Sequence, residues 1–271
     1  MILKKSFMLL LMMTVLVALA ACGSSQSNGG GSGDGENASE FKLVEPGKFT
    51  FAASGEFKPF SFMKDGKMVG YDIAVGQAIA EKLGLEPNQQ KVKFSGIVSG
   101  VQHHRYDAAV ASHTITPERK EHVNFSQPYY YSGPQIFTRP GSEIETAEDL
   151  KDKEICVSRG STYVKIAKKY TDNISLVDSD VVALQGLAKG HYDVVITDAI
   201  TGQKAINSGV KIEGKQVLGQ SKQAVAVPKD RPKLLEAINE ALTELKESGE
   251  LKEISMQWIH KDITKPLNEN Q

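Results

Sequence analysis

The sequence predicts an α/β protein of two similar lobes, on three observations. Short apolar strands alternate with helical stretches of ten or more residues, the pattern of parallel sheets covered by helices on both faces. One step occurs twice: Gln102-His-His-Arg-Tyr-Asp-Ala-Ala-Val110 and Ala188-Lys-Gly-His-Tyr-Asp-Val-Val-Ile196 each run from a helix end through a turn into a strand opened by Tyr-Asp. The composition is that of a folded chain with a large core: 271 residues, 40% hydrophobic, 24% charged, formal net charge -1. This excludes disordered, collagen-like and multi-pass membrane classes, and without a basic excess no nucleic-acid partner is expected.

The N-terminus reads separately. Lys4 and Lys5 precede an apolar run from Phe7 to Ala21. Positive flank, short run and small residues before a cut describe a secretory signal, and the run falls short of the roughly 18 apolar residues of a spanning helix. Leu19-Ala-Ala-Cys22 resembles the lipobox of bacterial lipoproteins, in which the cysteine is lipidated and becomes the first mature residue. Residues 1–21 are then the signal peptide and Cys22 the lipid attachment, with palmitate among its acyl chains. Residues 22–44 read as a flexible tether, because Gly23–Glu40 is dominated by Gly, Ser, Asn and acids and buries too little surface to fold.

The folded region begins with a strand at Lys48–Ala53. A hairpin follows, turning at Lys64-Asp-Gly-Lys67 between Phe60–Met63 and Met68–Tyr71. Asp72 is placed to cap a helix whose apolar positions Ile73, Val75, Ile79 and Leu83 recur at helical spacing, with Gly84 at its C′ position. Lys91–Phe94 reads as a strand, Ser95 as the N-cap of a helix over Gly96–His104, and Tyr106–Ala111 as a strand. A second series follows: strand Glu154–Ser158, helix Ser161–Tyr170, strand Ile174–Val177, helix Asp180–Lys189, strand Asp193–Thr197, helix Asp198–Asn207. Strand Ala224–Val227 and helices Arg231–Lys246 and Leu251–Ile259 complete the fold.

In such sheets ligands sit beyond the carboxyl ends of strands, near helix N-termini. The segments to inspect are therefore Ser54–Phe60, Ser112–Arg119, Ser158–Thr162 and Thr197–Asp198. Ser112-His-Thr-Ile-Thr-Pro-Glu-Arg119 leaves a strand and enters a helix with Pro117 at its first position. Its free N–H groups, threonine hydroxyls and guanidinium fork suit a carboxylate, although a capped helix with Arg119 in a surface ion pair would read the same way. Ser158-Arg-Gly-Ser-Thr162 repeats the design, again with an N-cap as the alternative. Asp198 either caps the next helix or accepts an ammonium ion. Phe57, Phe60 and Phe94 lie near strand ends, as core or as pocket wall.

Several ordered strings carry a resemblance: Gly55-Glu-Phe-Lys-Pro-Phe-Ser-Phe62, Gly70-Tyr-Asp72, Thr114-Ile-Thr-Pro-Glu-Arg119 and Val123-Asn-Phe-Ser-Gln-Pro-Tyr-Tyr-Tyr-Ser-Gly133. With Ala147-Glu-Asp-Leu-Lys151 and Leu245-Lys-Glu-Ser-Gly-Glu-Leu-Lys-Glu-Ile254, the chain from about Phe49 to Trp258 resembles the polar amino-acid-binding proteins of ABC importers, bacterial solute-binding protein family 3. The resemblance implies a type II periplasmic-binding-protein-like fold: two α/β lobes joined by two hinge strands, closing on one amino acid. It implies crossings near Ser132–Ile136 and Ser221–Ala224, with lobe 1 at 45–134 plus 224–265 and lobe 2 at 135–223. Arg119 would pair with the ligand carboxylate, helped by backbone N–H groups at Thr114 and Thr162. Asp198 would hold the ammonium, with Ser112 and the Thr114 hydroxyl sharing it. Phe57 and Phe94 would sandwich the side chain, and Ser54 and Ser158 would offer neutral polar contacts.

Ser54 falls where many members carry an acid that meets the ligand side chain, which favours a neutral polar ligand over a basic one; cystine stays open. His113 lies beside the site, and His103-His104 reads as a solvated helix end, because adjacent helical residues point apart. Cys156 reads as a buried, inert thiol. No metalloprotease, nucleophile-elbow or paired-cysteine motif occurs, so no metal, cofactor or catalytic residue is expected. The expected partners are a polar amino acid, ABC permease subunits and, through lipid, the outer face of the cell membrane, with the chain a monomer. A cyclohexadienyl or arogenate dehydratase-like enzyme on the same scaffold, or a ligand-sensing module acting in trans, are the competing readings.

Overall fold

The computed structural model describes residues 41–266; the signal peptide, Cys22 and most of the tether lie outside the described residues. Thirteen strands occur among the described residues. In chain order they are β1 (Lys48–Ala53), β2 (Glu56–Phe57), β3 (Ser61–Lys64), β4 (Lys67–Val69), β5 (Glu86–Lys91), β6 (Ala108–Ala109) and β7 (Val123–Ser132). They continue with β8 (Pro134–Thr138), β9 (Ile155–Ser158), β10 (Ile174–Val177), β11 (Val194–Asp198), β12 (Glu213–Val217) and β13 (Ser221–Pro228).

Two five-stranded sheets form the two lobes, ordered β5-β1-β6-β13-β7 and β10-β9-β11-β8-β12, and a small sheet β2-β3-β4 joins the first lobe. The alternation of strands and helices predicts parallel sheets, yet both large sheets are mixed. Three strands in each are parallel, the fourth (β13 or β8) runs antiparallel to the third, and the fifth is antiparallel to the fourth. The reason is connectivity. β8 and β13 enter their sheets directly from the other lobe, with no crossover helix to turn the chain parallel.

Gly133 alone separates β7 in one sheet from β8 in the other, and residues 218–220 return the chain from β12 to β13. The two crossings touch: a Cβ on Gly133 would fall 2.0 Å from the Gly219 carbonyl oxygen, and Gly219 itself holds φ +128. Two glycines are required there, one for close approach and one for its backbone angle.

The duplicated step has a physical basis. Asp107, before β6, accepts from the Val44 and Thr50 N–H groups (both 2.8 Å) and from the Arg231 guanidinium at 2.6 Å. Asp193, before β11, accepts from the Glu154 N–H at 3.0 Å. Each aspartate thus pins the start of the neighbouring parallel strand. Ahead of each, the tyrosine ring fills the space over a helical glycine, so that a Cβ on Gly100 would lie 2.5 Å from Tyr106 and one on Gly186 2.7 Å from Tyr192.

Both faces of the second sheet are covered. Ile155, Val157, Val194 and Ile196 point into one apolar layer, while the intervening Cys156 and Val195 join Phe137, Leu184 and Leu187 on the other. The first lobe buries one larger core around Phe49, Phe51, Ile79, Val225 and Leu242.

Several expectations are corrected. Asp72 does not cap its helix: the helix spans Tyr71–Lys82 behind Gly70, and the Asp72 side chain is buried elsewhere. The strand expected at Lys91–Phe94 is β5, six residues of polar sequence at the sheet edge, where water satisfies its outer side. The next helix spans Phe94–Gln102, with Lys93 rather than Ser95 as N-cap. The tether ends earlier than residue 44, because Phe41 is buried in the first core and Val44 is bound by Asp107. Lys64–Lys67 is a hairpin turn as expected, with Asp65 and Gly66 at φ 50 and 76.

The helix Ala199–Asn207 lies so close to the sheet that a Cβ on Gly202 would fall 1.8 Å from the fully buried Phe137 ring. Gly202→Ala is therefore expected to cost roughly 1–3 kcal/mol of stability through overpacking. Urea denaturation checks this; an unchanged midpoint contradicts it.

Candidate functional site

A pocket with about 470 Å³ of empty space, partly open to solvent, lies where loops from the strand ends of the two lobes meet. Its wall includes Ser54 after β1, Phe57 in β2, Phe94 after β5, and Ser112, Thr114 and Arg119 after β6. From the other lobe come Ser158 at the end of β9, Thr162 after it, and the segment Asp178-Ser179-Asp180 after β10. Eight of the nine residues anticipated as ligand-binding therefore share one pocket. The ninth, Asp198, is not on its wall.

Arg119 sits in the short helix Pro117–His122, where its N–H donates to the capping Thr116 hydroxyl at 3.1 Å. One arm of its guanidinium donates to the Thr114 carbonyl at 2.9 Å, and the other reaches across to the Gly160 carbonyl at 3.1 Å. The cation lies 5.8 Å over the Phe94 ring. Burial lowers its pKa to about 10, opposed only in part by Tyr163 and the neighbouring Glu118, and Arg119 has no salt-bridge partner among the described residues. Arg231 shows the contrast, its guanidinium paired with Asp107. Gly160 makes the cross-lobe contact possible, since at φ +80 a Cβ there would meet the Ser95 Cα at 3.0 Å.

Acids gather on the opposite side. Asp198 ends β11 and caps the following helix, its Oδ1 accepting from the Ile200 and Thr201 N–H groups at 2.9 and 3.3 Å. Both sequence alternatives remain compatible with this geometry, because its Oδ2 is buried without a hydrogen-bond partner. Burial raises Asp198 to about 6 against the pull of the nearby Ser132 hydroxyl and of those N–H groups, and its charge acts on Tyr163, which lines the pocket. Asp180, first residue of the helix Asp180–Ala188, is raised by burial and accepts from the Thr197 hydroxyl. Asp72 is raised by burial to about 7 and accepts from Ser112 Oγ at 2.8 Å and Tyr129 Oη at 2.7 Å.

The serines divide by partner. Ser54 Oγ shares a hydrogen bond with Ser61 Oγ at 3.1 Å, whereas the buried Ser158 and Ser161 hydroxyls have none. At the rim Glu56 pairs with Lys91 at 3.1 Å, and Asp178 with Lys93 at 2.8 Å and Arg159 at 3.5 Å. Two of the wall's carboxylates are thus already neutralised. His113 does not line the pocket; it stacks behind Phe94 at 4.6 Å, and burial holds its imidazole well below the usual range. His103 and His104 are exposed, and among the described residues no cluster suited to a metal ion occurs.

Sequence reasoning missed Tyr163, Asp178, Ser179 and Asp180 as wall residues, and placed Ser161 and Glu56 beside the site without assigning them to the ligand. The signal for Asp180 was present: Ser179-Asp180 follows a strand and opens a helix, as the other three loops do. Tyr163 lay just beyond an inspected segment and carried no mark of its own.

Residues 49–261 match the bacterial extracellular solute-binding proteins, family 3. The chain belongs to this family. It is 31% identical over 232 residues to the L-cystine-binding protein TcyJ of Escherichia coli, covering 83% of this chain and 87% of that one. A solved ancestral arginine-binding protein bound to glutamine is 36% identical with a TM-score of 0.73, covering 79% of this chain and 99% of that one. An ancestral amino-acid-binding protein described as a precursor of cyclohexadienyl dehydratase is 27% identical with a TM-score of 0.74, covering 79% and 96%. The type II fold, two lobes whose fourth strands each enter directly from the other lobe, is the family's.

Cys156 plays no part in the pocket. It is fully buried in β9, and burial pushes its thiol up to about 12. In a Cys22→Ser chain, a thiol reagent is expected to leave the folded protein unmodified and to label it fully in concentrated guanidinium. Rapid labelling of the native protein would contradict this.

Proposed function

We propose that the chain is the amino-acid-capturing component of an ABC importer, lipid-anchored through Cys22 on the extracytoplasmic face of the cell membrane. It acts as a monomer that hands its ligand to the permease. The observation that carries this is a charge deficit in two halves. The half-buried Arg119 guanidinium lines the pocket without a salt bridge, and the Asp198 Oδ2 is buried with no formed hydrogen bond, only the Ser132 hydroxyl beside it. A zwitterion supplies both missing partners.

In this reading Arg119 takes the α-carboxylate with the Thr114 and Thr162 N–H groups, and Asp198 takes the α-ammonium with Ser112 and Thr114. Asp180 adds negative potential on the same side. Phe57 and Phe94 flank the side chain, which meets Ser54, Ser158 and Ser161 hydroxyls. A basic side chain requires a free carboxylate at that end, and Glu56 and Asp178 are already ion-paired. A neutral polar amino acid is the better match, with basic amino acids and cystine as the other outcomes of a screen.

The ligand touches lobe 1 (45–134 plus 224–265) and lobe 2 (135–223), so it binds the closed arrangement better and shifts the equilibrium toward it. Binding rather than catalysis is inferred from the wall's acids. Glu56 and Asp178 are paired, and Asp180 is held by Thr197. The likeness to a dehydratase precursor favours the enzyme as second reading, which turnover of prephenate or arogenate would establish.

A thermal-shift screen of the chain against the common amino acids and cystine tests the proposal; a clear shift with at least one is expected, and none with any would overturn it. Arg119→Ala is expected to weaken that ligand about 100-fold, the loss of roughly 2–3 kcal/mol for a charged hydrogen-bonded pair, whereas unchanged affinity in calorimetry contradicts the role.

The pH dependence has a definite sign. Asp198 is raised to about 6 in the free protein, and an ammonium partner lowers it again on binding. Affinity is therefore full above that point and falls as the carboxylate takes up a proton, by roughly tenfold between pH 7 and pH 5. Asp198→Asn should remove this dependence.

A further inference from the structure

Ser112 holds an unusual position for a pocket residue. It is buried, adopts φ 56 without being glycine, and lines the pocket. Three hydrogen bonds close a ring around it. The Ser112 N–H donates to Tyr129 Oη at 2.9 Å, Tyr129 Oη donates to Asp72 Oδ1 at 2.7 Å, and Ser112 Oγ donates to Asp72 Oδ2 at 2.8 Å. Tyr71 steadies the ring from below by donating its hydroxyl to the Tyr129 carbonyl at 3.0 Å. The ring accounts for the left-handed backbone of Ser112, because it ties that residue at both N–H and hydroxyl.

A serine hydroxyl has one proton and two lone pairs. The ring commits the proton to Asp72, so toward its other neighbours, the Tyr130 hydroxyl and the pocket, the oxygen presents lone pairs alone. We infer that Asp72 is a positioning residue that fixes the direction of the Ser112 hydroxyl, making Ser112 an obligate acceptor and thereby selecting ligands that carry an ammonium group on that side. This rests on the amino-acid reading of the pocket and deepens it. Asp72 acts without touching ligand: it is fully buried and absent from the wall. The sequence marks it as a helix cap, a role the structure gives to no side chain at that helix.

Removing the carboxylate frees the hydroxyl to turn its proton into the pocket, where it opposes an ammonium and tolerates its absence. The test compares L-glutamine with glutaramate, and L-arginine with its desamino analogue, by calorimetry at pH 8, above the point near 7 to which burial raises Asp72. Asp72→Asn is expected to weaken the amino acid at least tenfold and its desamino analogue less than twofold. In a Ser112→Ala background the same change should add less than twofold, since the hydroxyl it acts through is gone.

Equal losses for both compounds, or full additivity with Ser112→Ala, would overturn the inference while leaving the amino-acid reading intact. An unmutated chain that binds no amino acid would overturn both. Where Asp72→Asn does not fold, neutron diffraction of the unmutated protein decides the point. A deuteron between Ser112 Oγ and Asp72 supports the assignment, and one directed into the pocket overturns it.

Discussion

Charge burial without a matching partner is the constraint around which the pocket is built. Elsewhere in this protein buried charge is balanced locally, as where Asp107 meets Arg231 and two backbone N–H groups. Around the pocket the balance is withheld. Asp72, Asp180 and Asp198 are all raised by burial, Arg119 is lowered by it, and the groups are kept on different loops. Such an arrangement costs stability, and the rest of the fold has to supply it: two covered sheets hold the loops, and strand ends fix where each charge stands.

How these groups are held explains why backbone features recur at the site. Arg119 reaches the second lobe only because Gly160 lets that loop approach Ser95. Ser112 keeps a left-handed backbone because Tyr129 and Asp72 hold its two ends. In each case a polar side chain faces the pocket while packed or hydrogen-bonded groups behind it decide its direction, which is how a site acquires geometry before any ligand arrives.

Much of this was legible in the sequence, for reasons that differ by residue. The four loops were found because strand-to-helix junctions are visible in periodicity and ligands collect at strand ends. The Tyr-Asp repeat was legible because both aspartates and both tyrosines perform the same local task in each lobe. Asp72 was misread because a helix-start aspartate looks identical whether it caps its own helix or binds a serine forty residues away. β7, β8 and β12 went unseen, β7 and β8 because only Gly133 divides them and long-range pairing sets both, and β12 because Glu213-Gly-Lys-Gln-Val217 is too polar to read as a strand. β5 failed similarly, its edge position removing the need for apolar residues. Long-range pairing, not local propensity, makes strands of these segments.

The double crossing between lobes has a consequence for how the chain assembles as it emerges. The second sheet, β8 to β12, is contiguous in sequence from Pro134 to Val217 and has all its partners once that stretch is available. The first sheet is not: β6 and β7 are separated by β13, which begins only at Ser221. For a chain delivered N-terminus first, the lobe begun first is thus completed last. Until β13 inserts, the facing edges of β6 and β7 stand unpaired, and the helix Pro232–Glu247, which packs on β7, follows later still. The wait for β13 is the stage at which the early half of the protein is most exposed to misassociation.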